Sequence, residues 1–125
     1  MLLEDEQSLL ALDLATLSRK APTIYVPAHW WVELTNGLLR AERRKRTVGA
    51  NISEAFNFAE GFPVTIDDET SFRCPRQTIQ LARRHNLSVY DAAYLELAIR
   101  RESALATLDG ALARAAKSAG VALLL

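Results

Sequence analysis

LSVYDAAYLELAIRRESALATLD, residues 87–109, is the stretch from which the rest of the chain can be read. Ser88 suits a helix N-cap, and Asp91 three positions on completes a Ser-x-x-Asp capping pattern. From Ala92 to Ile99 only Glu96 is charged, and a helix that is apolar nearly all round is a buried one. Arg100 and Arg101 fit its C-terminal end, where cations meet the negative pole of the helix dipole. Ala104–Ala106 then reads as a short apolar strand, and Thr107-Leu108-Asp109-Gly110 as the opening of a second helix. One carboxylate thus stands at each helix entrance, and the pattern predicts both near one edge of a sheet.

Outward from that stretch the chain is ordinary in composition. At 125 residues it is expected to form a single domain, 1–125, with one sizeable core. Half the residues are hydrophobic, a quarter charged, and the formal net charge is zero, so overall charge gives no argument for a nucleic-acid partner. The lone Cys74 excludes an internal disulfide, and the absence of a Cys/His cluster excludes a zinc site. His29 and His85 read as surface or packing residues. No apolar run approaches a membrane span, and the start lacks the layout of a signal peptide. The expectation is a cytoplasmic protein with no membrane partner.

In chain order, residues 5–20 read as a helix with Leu10, Leu14 and Leu17 on one face, ended by Pro22. Thr23–Val26 is a β-rich run, and Pro27 is placed as first residue of a helix from Ala28 to about Arg46. Val48–Glu60 is a further helix, Pro63–Ile66 a strand and Asp67-Asp68 the turn after it. Pro75–His85 is a helix whose left-handed cap Asn86 supplies. A last helix spans Ala111–Ala119, and Val121–Leu125 is an apolar final strand. Strands separated by helices predict an α/β fold, a short parallel sheet flanked by helices. Functional residues in such sheets gather beyond the carboxyl ends of the strands.

Three pieces of this sequence, in order, resemble one family. Val26-Pro27 followed by Trp31-x-Glu33-Leu34-x-Asn36, then Tyr90-Asp91-Ala92-Ala93-Tyr94-Leu95, then Leu105-Ala106-Thr107-Leu108-Asp109 are similar to the acidic motifs of PIN-domain ribonucleases. The likeness is to toxins of the VapC type from bacterial toxin–antitoxin pairs, and it runs from about residue 3 to the C-terminus. It implies a PIN-like three-layer fold with strand order 3-2-1-4-5 and RNA as the substrate. It also implies a magnesium (or manganese) cofactor, a cognate antitoxin as partner and a homodimer. The family opens with a central strand ending in an aspartate, and Met1–Glu6 resembles the stretch just after it. The expectation is therefore an N-terminally incomplete domain with its first strand missing. Either the start is placed too far downstream or the chain is a degenerate form in which Glu4, Asp5 or Glu6 stands in. Without that strand, Thr23–Val26 and Ala104–Ala106 must pair directly or be bridged by another chain.

By that resemblance Glu33, Asp91 and Asp109 are the catalytic metal ligands, supported by Asn36 and Thr107. Clustered carboxylates suit a hard cation, which activates a water and neutralises charge developing on a phosphodiester. Each residue also has a plainer role. Asp91 and Asp109 can simply cap helices, Thr107 can do the same, and Glu33 can pair with a cation. The basic run Arg40, Arg43, Arg44, Lys45 and Arg46 is either a helix end suited to the dipole or a patch contacting RNA phosphates. Tyr90 and Tyr94 read as packing residues. Trp30, Trp31, Phe56 and Phe58 either fill the core or form a dimer face near residues 28–60. Two functions stay open: a magnesium-dependent endoribonuclease, or an inactive PIN-like remnant that binds an antitoxin or itself.

Overall fold

The structure is a computed structural model, and it describes residues 23–44, 49–61 and 63–124. The helix expected over residues 5–20, the acids Glu4, Asp5 and Glu6, and the question of the first strand lie outside those residues. The described chain is mixed α/β and mostly helical, with a short parallel sheet of two strands, consistent with a PIN-like fold. Strand β1 is Ile24–Val26 and strand β2 is Val64–Ile66. Their register is set by the Ile24 amide donating to the Pro63 carbonyl at 3.2 Å and the Asp67 amide donating to the Val26 carbonyl at 2.8 Å. Further along, Leu105 and Leu123 form a parallel bridge. The strands expected over 104–106 and 121–125 shrink to that single bridge.

The helices are α1 (Trp30–Arg43), α2 (Gly49–Glu60), α3 (Thr70–Arg73), α4 (Ile79–His85), α5 (Val89–Arg100) and α6 (Gly110–Ser118). Pro27 does not open α1. It is buried, the Ala28 amide is taken by the Thr70 hydroxyl at 3.0 Å, and His29 occupies the N-cap position. The helix expected over Pro75–His85 begins earlier, at Thr70, and passes through a π-helical turn at Cys74–Thr78. Pro75 carries no amide hydrogen for the carbonyl four residues back. The ladder widens there, and the Ile79 amide donates to Cys74 five residues back. Within the turn Thr78 is buried, and its hydroxyl has no hydrogen-bond partner among the described residues.

The described residues pack as two compact units. One holds those of Met1–Ile24 and His29–Thr65, the other those of Tyr25–Ala28 and Ile66–Leu125. In the first, α1 packs on α2, with Leu38, Ala41 and Ala59 buried. Trp30 and Trp31 are half-buried and meet edge to face with ring centres 4.8 Å apart. Phe56 is half-buried too, and the Phe58 side chain lies outside what is described. In the second, α5 is the hub, as its apolar sequence predicts: Ala92, Ala93, Leu95, Leu97 and Ala98 are all buried. Leu95 and Ala98 join Leu105, Leu112, Ala115 and Ala116 in a core bordered by Leu81, Leu87, Val121 and Leu123. The ends of α4 and α6 are closed by Asn86 at φ 53° and Gly120 at φ 79°. Past each, an amide reaches five residues back, Leu87 to Ala82 and Val121 to Ala116.

Candidate active site

Asp91 lies in the first turn of α5, brought there by the cap the sequence predicts. The Ser88 hydroxyl accepts from the Asp91 amide at 3.1 Å. The cap therefore uses Ser88, and the half-buried Asp91 carboxylate accepts no hydrogen bond from the described residues. Asp109 is placed differently. It is itself the N-cap of α6, with Oδ2 accepting from the Leu112 amide at 2.8 Å. The Thr107 hydroxyl accepts from the Asp109 amide at 3.1 Å. Thr107 thus holds the Asp109 backbone, while Asp109 Oδ1 is left without a hydrogen bond among the described residues.

Glu33 belongs to the first unit, Asp91 and Asp109 to the second. Glu33 is exposed on the first turn of α1 and lies 3.4 Å from His29 Nε2, one helical turn back. Asn36, one turn on, is exposed. Arg40 and Arg43 are exposed in the last turn of α1 and Arg44 is its C-cap; Lys45 and Arg46 fall outside the described residues. Tyr94 is half-buried beside the α5–α6 core, whereas Tyr90, expected to pack, is 64% exposed. Among the described residues, no three His, Cys, Asp or Glu side chains gather closely enough to hold a metal ion. The donors themselves fit a hard divalent cation in kind, since the Asp91 carboxylate and Asp109 Oδ1 are oxygens with no competing donor among the described residues.

A cluster that the sequence does not announce lies at the other end of α5. Asp67, expected in a turn, is 2% exposed, and its carboxylate is clasped by Arg100: Nη1 to Oδ1 at 3.0 Å, Nη2 to Oδ2 at 2.8 Å. Arg100 also donates to buried Glu96 through Nε at 2.8 Å and Nη2 at 3.1 Å. The Thr70 hydroxyl donates to Asp67 Oδ2 at 2.9 Å while accepting from the Ala28 amide. Burial pushes the Asp67 carboxyl up, but the hydrogen bonds from Arg100 and Thr70 and the charge of Arg100 outweigh it, and the net shift is downward. Hydrogen bonding to Glu96, then to Asp67, holds Arg100 above its ordinary range. One signal for this cluster was legible: Glu96 and Arg100 stand at i,i+4 in an otherwise apolar helix.

The PIN domain family model matches residues 2–118, nearly the whole chain, and the protein belongs to that family. Membership points to nuclease activity in general, and PIN nucleases generally use divalent metal ions. No curated protein and no solved structure matches the chain. No helix among the described residues is long and apolar enough to cross a membrane.

Proposed function

We propose that the protein is a magnesium- or manganese-dependent endoribonuclease of the VapC toxin type, with Asp91 and Asp109 as metal ligands and Glu33 as a third. The observation that carries this reading is the Asp91 carboxylate. It is half-buried at the entrance of the most buried helix, and the capping duty that would explain it otherwise is discharged by Ser88. The bound ion would supply an activated water and charge neutralisation at the scissile phosphate. The protein's own part is to hold the donors: Ser88 fixes the first turn that carries Asp91, and Thr107 and the Leu112 amide fix Asp109, while Asn36, one turn on from Glu33, would orient that carboxylate or a metal-bound water. Arg40, Arg43, Arg44, Lys45 and Arg46 serve as a phosphate-contacting patch, and a cognate antitoxin and a second copy of the chain are the protein partners.

Purified protein should cleave RNA when magnesium or manganese is added and stop when it is chelated, and Asp91→Asn should abolish cleavage. Because that carboxylate bonds to nothing described, the variant should lose no more than about 1 kcal/mol of stability, the scale of a helix-dipole interaction. Cleavage that persists in excess chelator overturns the reading.

One observation favours the second function, an inactive PIN-like module that binds an antitoxin or itself: the described residues assemble no three-donor metal cluster. Thermal melting across a magnesium titration separates the two. An ion that binds only the folded state raises the melting temperature in step with occupancy, and a flat titration with no RNA cleavage supports the inactive module.

A further inference from the structure

From Thr70 to Tyr90 the sequence contains no acidic residue, while Arg73, Arg76, Arg83 and Arg84 all fall in it. In a chain of zero net charge this is a marked local excess. The fold sorts these arginines into two kinds. Arg73 is half-buried and paired with Glu69 at 2.9 Å. Arg76, Arg83 and Arg84 are exposed, and none has a carboxylate within ion-pair distance among the described residues. Phe72, Arg76, Gln80 and Arg83 follow one another at helical spacing through α3, the π turn and α4, and all are exposed. The stripe is thus a continuous solvent face on which cations repeat without carboxylate partners among the described residues. The end of α4 accounts for Arg83 and Arg84 through its dipole, but Arg76 lies well before that end.

The stripe also carries an aromatic plate. Phe72 is 56% exposed, and the Arg76 guanidinium lies over its ring at 3.9 Å while donating to the Phe72 carbonyl at 2.6 Å. Aromatic and guanidinium planes are what unpaired bases stack on, and sequence-tolerant grip on a single strand combines such planes with backbone-tracking cations. The stripe ends where the Asn86–Ser88 turn begins, and Asp91 is in the first turn of the helix that follows.

We infer that the exposed face Phe72–Arg76–Arg83–Arg84 is a docking track for single-stranded RNA, leading along the chain toward Asp91. This rests on the nuclease reading for the choice of RNA, and it assigns a role to residues outside the Arg40–Arg46 run.

The test measures binding with cleavage switched off: fluorescence anisotropy of a labelled unstructured RNA in chelator, from 50 to 200 mM salt. For single strands the slope of log affinity against log salt falls by about 0.7 for each phosphate that is no longer neutralised. Arg76→Gln/Arg83→Gln should therefore flatten the slope by about 1.4, so that its deficit against the parent shrinks roughly 7-fold between 50 and 200 mM salt. Phe72→Ala should weaken single-stranded RNA more than a duplex of the same length. Arg114→Gln/Lys117→Gln, which removes two exposed cations from α6, is the control for charge alone. Circular dichroism and urea midpoints confirm that each variant is folded. An unchanged slope, an equal effect from the α6 pair, or equally tight binding of polyglutamate in place of RNA would overturn the inference. A separate magnesium-dependent cleavage assay on the same RNA tests the nuclease reading, so the two can fail independently.

Discussion

Arg100→Met isolates what the buried ion cluster contributes. The parent side chain is 15% exposed and makes two hydrogen bonds to Asp67, whose side chain is fully buried, and two to Glu96, whose side chain is 6% exposed. Methionine fills much of the same space but leaves two carboxylates behind. Among the described residues, Asp67 keeps the Thr70 hydroxyl and the Glu69 backbone hydrogen bond, and Glu96 keeps Arg73, whose Nε is 3.9 Å away. Removing one partner of a buried pair costs about 3–5 kcal/mol, because the remaining charge stays desolvated. Total stabilities of small domains are about 5–15 kcal/mol, so urea denaturation at pH 7 should show a large drop in midpoint. The pH dependence is the sharper readout. In the parent, Asp67 titrates below its unfolded value, so its stabilisation is complete above about pH 4 and is lost as pH falls through the lower folded value. Without Arg100, burial should raise the folded carboxyl above its unfolded value. The native state then binds more protons than the unfolded one, and the variant gains stability as pH falls from 7 toward 4. The gap between parent and variant should therefore narrow on acidification. A loss under about 1 kcal/mol, or parallel pH profiles for the two proteins, would refute the reasoning.

Asp109→Ala should cost about 1 kcal/mol through loss of the α6 N-cap, whereas Asp109→Asn keeps the cap and stability. If both abolish magnesium-dependent cleavage, the charge and not the cap is what the reaction needs. Thr78→Val replaces a buried hydroxyl that has no partner among the described residues by a methyl group, and should stabilise the protein by about 1 kcal/mol in urea melts; destabilisation would mean the hydroxyl is hydrogen-bonded after all. Light scattering at rising concentration should report a homodimer, consistent with half-buried Trp30 and Trp31 and with Val32, 70% exposed beside them. A monomer persisting into the tens of micromolar would end that proposal.

What the sequence determined by itself was local. The apolar run after Asp91 determined a buried helix, because a segment apolar on every side can be accommodated only inside. Ser88 and Asp109 determined where two helices begin, since each side-chain oxygen meets an amide only three residues away. Asn86 and Gly120 marked helix ends for the same reason of short range. The family motifs, being contiguous, were legible too. Only the tertiary structure decided the fate of Asp67. In sequence it is one of two aspartates after a strand, yet it becomes a buried anion because Arg100, far along the chain, closes over it. The same fold paired Arg73 and left Arg76, Arg83 and Arg84 without carboxylates among the described residues. Charge partners depend on which elements pack together, and a carboxylate's burial is tolerable only where packing brings a cation to it. That information resides in the packing of the Cys74–Thr78 turn and α4 against α5, and no single segment carries it.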